Sequence, residues 1–316
     1  MSGQMPAFNA QGIFCIDTEL QRPGFDAAWL VVEQGRAAFI DCGTSHAVPA
    51  MLQALADAGL GPEAVDWLIL THVHLDHAGG AGALLAHLPN ARVLVHPRGA
   101  PHLVDPSRLV AGATAVYGEA EMARSYGQVL PIAQARIQLL DDGLVLSLAG
   151  RELQCIDTPG HARHHLCVFD RRSRSWFTGD TFGISYRELD GPNGHFIIPT
   201  TSPVQFEPEP LKQSIGRLLQ ARPVAMHLTH YGSVGQVDRL GQQLLEQIDA
   251  MVVIGRQALA AGENGLEDRL FSALSAYYAH RAEQAGLPAE PVLRALAIDI
   301  RLNAQGLVCW LQREQR

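Results

Sequence analysis

The stretch from residue 65 to residue 87 constrains this chain more than any other. Residues 65–70 form a short apolar run, the pattern of a buried strand, and lead directly into Thr71-His72-Val73-His74-Leu75-Asp76-His77. Residues 78–87 are then mostly small and apolar, which suits a helix packed closely on a sheet. Four potential cation ligands therefore fall within six residues, where a strand stops. Residues two apart in an extended segment point to the same side, so His72 and His74 can grip one ion together. Asp76 and His77 sit where the chain turns and can aim at a neighbouring position. Neutral imidazole and carboxylate are ligands that Zn²⁺ and similar borderline ions accept. One His-x-His among 14 histidines would be unremarkable. His-x-His-x-Asp-His at a strand end, with further His and Asp at later strand ends, is not.

Around this segment the chain alternates strands and helices. Residues 28–32 and 37–40 are apolar runs separated by Glu33-Gln34-Gly35-Arg36, a hairpin pattern with Gly35 in the turn. Residues 48–59 have helical spacing and 92–96 read as a strand. Residues 97–131 loosen and turn partly helical, as an insertion would. Strands are expected at 143–148 and 152–156, and a hairpin over 166–170 and 175–178. The hairpin's basic turn at Arg171, Arg172 and Arg174 reads as solvated. Residues 183–210, rich in Gly and Pro, read as a long lid; 211–219 as a helix; 225–228 as a strand. Beyond 235 the pattern is helical throughout, over 237–261, 266–285 and 291–312. The expected organisation is an α/β sandwich over 1–235, which would hold the site, and a helical region over 236–316.

Thr71-His72-Val73-His74-Leu75-Asp76-His77-Ala78-Gly79-Gly80 resembles the signature of the metallo-β-lactamase superfamily, close to its hydroxyacylglutathione hydrolase-like (glyoxalase II-like) branch. The similarity extends to Asp41-Cys42-Gly43, Thr158-Pro159-Gly160-His161, Phe177-Thr178-Gly179-Asp180 and Thr229-His230-Tyr231-Gly232, spanning roughly 12 to 235 in the order the family shows. Residues 199–209, with the segment at His230, also resemble a poorly characterised archaeal and bacterial subgroup. The resemblance implies a four-layer αββα sandwich with the site along one edge of the two sheets, here followed by a helical C-terminal appendage. It implies that His72, His74 and His161 bind one metal ion, that Asp76, His77 and His230 bind a second, and that Asp180 bridges them. Asp41 matches a position that props the ligand loop. His161, after Pro-Gly, is favoured over His164 and His165. His230 is favoured over His227, which is expected to pack inside. His46, His87, His96, His102 and His280 have no such context.

Two divalent ions, zinc before manganese or iron, would supply the chemistry. Held roughly 3.5 to 4 Å apart, they lower the pKa of a shared water towards about 7 and polarise a carbonyl or phosphoryl oxygen. Asp76 and Asp180 are the expected catalytic carboxylates, with Asp76 able to hold or receive a proton. The expected reaction is hydrolysis of a carboxylic ester or thioester, although no counterpart of a basic glutathione-binding cluster is visible near the C-terminus. Superfamily lactonases usually carry Tyr three residues after the bridging Asp, where this chain has Gly183. The Asp76-His77 pair argues against antibiotic hydrolysis. Alternatives on the same fold are a phosphodiesterase or nuclease, a sulfur dioxygenase with one iron at His72, His161 and Asp180, and a ligand-binding regulatory protein. Tyr117, Tyr126, Phe182, Tyr186, His195 and Phe196 either wall a pocket for an apolar group or simply pack.

The formal charge of −8 argues against nucleic acid as a partner and leaves a small-molecule substrate as the expectation. The C-terminal helices could close the pocket or pair two copies into a homodimer. No apolar stretch reaches the length of a membrane span, and the N-terminal residues lack a basic start and an apolar run. With five scattered cysteines and no CxxC pair, a cytoplasmic protein with reduced thiols is expected.

Overall fold

The computed structural model describes residues 8–201 and 204–315, apart from the side chains of Val116 and Tyr117. Residues 1–7, part of the N-terminal segment read above, lie outside it. The chain forms two compact units. The first takes the described residues as far as Asp157, then His164–Gly179 and Pro223–Gly235; the second takes Thr158–Arg163, Asp180–Arg222 and the described residues from Gln236 onward.

Both sheets belong to the first unit. Strands β1 (Ile13–Asp17), β2 (Ala27–Glu33), β3 (Arg36–Ile40), β4 (Val65–Ile69), β5 (Arg92–Val95) and β6 (Ile137–Leu139) pair in that order. The pairs β1–β2 and β2–β3 are antiparallel, and the remaining three are parallel. Strands β7 (Val145–Leu148), β8 (Arg151–Asp157), β9 (Leu166–Asp170), β10 (Ser175–Phe177), β11 (Ala225–Leu228) and β12 (Gly232–Val234) form the second sheet, antiparallel except for β10 and β11. Three-residue β6 and β12 have no counterpart in the sequence reading, being too short to show a period. The β2–β3 hairpin turns at Gln34 and Gly35, with φ of 45° and 77°. Two positive φ values in a two-residue loop match the twist of the flanking strands, and glycine adopts one of them without strain.

Alternation along the strands decides which side chains meet. Trp29 and Val31 of β2, Ala38 and Ile40 of β3, and Ile69 of β4 share one buried cluster with Leu153, Cys155, Leu166, Val168 and Phe177 of the second sheet. Leu30, Phe39 and Leu68, one residue out of phase, join a second cluster with Met51 and Leu55 of α1 (Val48–Asp57) and Leu84 and Leu85 of α3 (Ala81–His87). Between those helices in sequence lies the single turn α2 (Leu75–Ala78), which carries Asp76 and His77. The expected insertion is helical in short pieces: α4 (Ala100–Val104), α5 (Ser107–Tyr117) and α6 (Glu119–Glu121). Cys42, Cys155 and Cys167 are buried, whereas Cys15 is exposed.

The second unit is built on α7 (Pro208–Gln220), α8 (Val237–Ala260), α9 (Leu266–Gln284), α10 (Ala289–Ala295) and α11 (Ala297–Glu314). The single helix expected over 291–312 is therefore two, because the backbone leaves helical geometry at buried Leu296 (φ −97°, ψ 8°). No Gly or Pro marks that break. Leu244, Ile248 and Met251 of α8, Leu270, Leu274 and Tyr278 of α9, and Ile300 and Leu307 of α11 are all buried. The expected lid is fastened within this unit. Ile184 and Ile198 exchange backbone hydrogen bonds of 2.9 and 3.0 Å, and Gln247 Nε2 donates to the Ile197 carbonyl at 3.0 Å. Phe182, Tyr186 and Phe196 are buried, and the Tyr186 hydroxyl donates to Asp299 at 3.1 Å, so these three pack rather than line a surface. Tyr126 and His195 are half-buried, and the Tyr117 side chain lies outside the described residues.

Candidate metal site

The C-terminal ends of β3 and β4 lie side by side because the strands are parallel neighbours. Asp41 follows β3 with φ 56°, a left-handed conformation that Asp tolerates better than most residues. Its buried carboxylate collects donors from three segments. It accepts the Thr71 backbone N–H and the Thr71 hydroxyl, each at 2.8 Å, the His77 Nδ1–H at 2.9 Å and the Thr229 hydroxyl at 3.3 Å. The expected prop is thus in contact with the ligand loop it was matched to.

These bonds fix the imidazole tautomers. His77 gives its Nδ1 proton to Asp41, so Nε2 is its acceptor nitrogen. The Thr71 hydroxyl has one proton and donates it to Asp41. Its oxygen therefore accepts from His72 Nδ1 at 3.2 Å, leaving Nε2 as the acceptor nitrogen of His72. That Nε2 lies 2.8 Å from His74 Nδ1. Two ring nitrogens at this spacing either share a proton or turn their lone pairs to a common cation. On the other side of the turn, His230 gives its Nδ1 proton to the Phe25 carbonyl at 2.9 Å and sets Nε2 3.5 Å from Asp76 Oδ2. Asp76, His77 and His230 offer three ligand atoms that all lie within 4.8 Å of one another. The donors are imidazole nitrogens and carboxylate oxygens with no thiolate, a set that fits a borderline divalent ion.

His161 and Asp180 belong to the second unit. There His161 Nδ1 lies 3.3 Å from the Thr200 carbonyl, and Nε2 lies 3.4 Å from Asp180 Oδ2. The short loop carrying His161 is clamped by its own unit. Ser214 Oγ donates to the Pro159 carbonyl at 2.7 Å and the Glu207 N–H to the Gly160 carbonyl at 2.8 Å. Gly160 has φ 134°, and a Cβ there would sit 2.3 Å from the Leu211 backbone, so only glycine fits. His164 and His165, weighed against His161, meet the cluster in the first unit by ring contact. His165 stacks on His72 with centroids 4.8 Å apart, and His164 meets His74 edge-on at 5.6 Å. His227 is buried away from the ligand atoms, between Ser175 and Ser233.

Asp26, immediately before β2, is a neighbour that the sequence did not reveal. It is fully buried, accepts from Thr18 and places Oδ1 4.0 Å from His230 Nδ1. Burial pushes its carboxyl up to about 7, against the pull of His230 and His77. No motif marks Asp26; its contact depends on Phe25 and His230 meeting across 205 residues.

The sequence model of the Metallo-beta-lactamase superfamily matches residues 22–224, nearly two thirds of the chain. The chain belongs to that superfamily. Its fold is the family's α/β fold followed by a helical C-terminal region. It is similar to the metallo-beta-lactamase fold-containing protein ST1585 of Sulfurisphaera tokodaii, with 28% identity over 241 residues covering 74% of this chain and 84% of that protein. The crystal structure of ST1585 superposes with a TM-score of 0.60 at 26% identity, covering 75% of this chain and 85% of that one. An acyl-coenzyme A thioesterase, MBLAC2 of Gallus gallus, is 30% identical over 54% of this chain and 62% of its own length. A hydroxyacylglutathione hydrolase of Pectobacterium carotovorum is 30% identical over 48% of this chain and 45% of its own. The match thus spans less than two thirds of either named thioester hydrolase.

Proposed function

We propose that this protein is a metal-dependent hydrolase of thioesters, with carboxylic esters as the neighbouring class. The convergence of Asp76, His77 and His230, with both imidazole tautomers set from outside, carries this reading. In it His72, His74 and His161 would hold one divalent ion, Asp76, His77 and His230 a second, and Asp180 would serve both. Chain connectivity supports including the last two unit-crossing residues. Asp180 directly follows Gly179, where a Cβ would stand 2.7 Å from Thr71 Oγ1, and His161 lies three residues before His164. The donor set favours zinc. The names of the two thioester-cleaving relatives favour the substrate class.

Bound divalent ions would lower the pKa of a coordinated water to about 7 and polarise the substrate carbonyl. The chain's own contribution is positional. Asp41 and Phe25 hold His77 and His230 in the tautomers that present Nε2. The Asp76 carboxylate, with Oδ2 at 3.5 and 3.8 Å from the Nε2 atoms of His230 and His77, would take a proton from attacking water. Water adds to the acyl carbon, the C–S bond breaks, and the products are a carboxylic acid and a thiol. A small-molecule substrate and a cytoplasmic location complete the proposal. Among the described residues no helix is long and apolar enough to cross a membrane.

Metal content of the purified chain, with thiol release from acyl-coenzyme A and S-acylglutathione substrates, tests this. About two zinc ions per chain and chelator-sensitive thiol release are expected. One iron, oxygen consumption and no thiol release would replace the hydrolase with the dioxygenase reading.

A further inference from the structure

Building on the assignment of His161 as a metal ligand, we propose that Asn303 of α11 is a positioning residue for that ligand, acting through a single peptide group. Asn303 lies beyond the residues that the superfamily model matches and is fully buried. A buried amide must use both of its ends; this one turns both to a single short segment and also meets the Tyr278 hydroxyl. Its Nδ2 donates to the Pro199 carbonyl at 2.9 Å, and its Oδ1 accepts the Thr201 N–H at 2.9 Å. The Thr201 hydroxyl adds a bond to the Leu302 carbonyl at 3.4 Å.

The Thr201 N–H and the Thr200 carbonyl belong to one planar peptide group, in which they point in opposite directions. Asn303 therefore holds one side of that plane while its other side faces His161 Nδ1 at 3.3 Å. A carbonyl can only accept, so His161 carries its proton on Nδ1 and keeps Nε2 as the acceptor nitrogen. Turning the Thr200–Thr201 peptide would remove the acceptor that sets both the tautomer and the ring angle. All of these residues lie in the same compact unit. Outer partners of this kind change metal affinity when they are lost, since they orient the imidazole before the ion arrives.

The same segment is also held two residues before Pro199 by Gln247, which donates to the Ile197 carbonyl at 3.0 Å, a different peptide group from Thr200–Thr201. The pair separates positioning from general support. Zinc affinity would be measured by chelator competition on the full chain, together with the visible spectrum after Co²⁺ loading, for Asn303→Leu, Asn303→Asp, Gln247→Leu and His161→Ala. Asn303→Leu is expected to weaken the affected ion about tenfold and to alter the Co²⁺ spectrum towards that of His161→Ala. Asn303→Asp keeps the acceptor for the Thr201 N–H and should show a smaller change, which serves if the leucine variant does not fold. Gln247→Leu should leave affinity and spectrum as in the wild type. Wild-type affinity and spectrum in both Asn303 variants would overturn the inference, as would equal weakening in Gln247→Leu. If the wild type binds no ion, or if His161→Ala binds zinc as the wild type does, the ligand assignment itself fails.

Discussion

His227 and His230 lie three residues apart at the end of β11, both buried and both in the first unit, yet they are built for opposite ends. His227 has serine hydroxyls on both ring nitrogens, Ser233 at 2.7 Å from Nδ1 and Ser175 at 2.8 Å from Nε2. Ser175 continues through Ser173 to Asp170, which pairs with buried Arg151 at 2.5 Å. Its ring packs on Phe8, Trp29 and Phe177, with centroids 4.6 to 4.7 Å away. Burial drives its pKa down to about 3, so it stays neutral. His230 uses a carbonyl on Nδ1 and turns Nε2 towards a carboxylate that is itself partly exposed. A structural histidine has both nitrogens taken up by its own core. His230 has one nitrogen fixed from behind and the other converging with further donors, the arrangement that the proposed ligand role needs.

The comparison breaks most sharply on removal of the two rings. His230→Ala should lose one bound ion and reduce thiol release by at least about 100-fold, above the range for outer-shell partners, while destabilising the metal-stripped chain less than His227→Ala does. His227→Ala should do the reverse. Removing the ring takes one partner from buried Ser175 and one from half-buried Ser233, each worth ~1–3 kcal/mol, so denaturant unfolding should report a loss of roughly 2–6 kcal/mol, with metal content intact. Lost metal in His227→Ala, or equal destabilisation in both variants, would erase the distinction.

Asp41→Asn sharpens it. An amide presenting Nδ2 to His77 would force the proton to Nε2, so zinc affinity by chelator competition should fall about 10- to 100-fold. The most gradual effect lies in pH. His227 has a folded pKa of about 3, below the unfolded value of 6.5. Below pH 6.5 the unfolded chain takes up a proton that the folded chain refuses, so the stability His227 contributes is complete above that pH and declines as pH falls towards 3. The slope is at most about 1.4 kcal/mol per pH unit. Comparing wild type with His227→Gln between pH 7 and pH 4 isolates it; parallel curves would show that the ring is not held neutral.

Much of this is legible in the sequence. The strand leading into His72, the β2–β3 hairpin and the helical C-terminal region follow from local periodicity, and the family from motifs in order. His72, His74, Asp76 and His77 could be named because six consecutive residues carry them. The choice of His230 over His227 rested on resemblance, since one strand end offers two histidines and their partners come from Phe25, Asp76, Ser175 and Ser233. The break at Leu296 was missed because no residue there disfavours a helix.

The sequence by itself determined the donor chemistry and the order of the strand ends that carry it, because side-chain identity and covalent spacing are local. Only the tertiary structure decided which nitrogen His72, His77, His161 and His230 keep. It decided too that Asp26 stands behind His230, and that residues 158–163 and 180–222 pack with the C-terminal helices. The physical reason is that the groups setting the imidazoles include the backbone carbonyls of Phe25 and Thr200, which any residue would supply. Their direction is fixed by peptide planes held from segments distant in sequence, and no residue type records it.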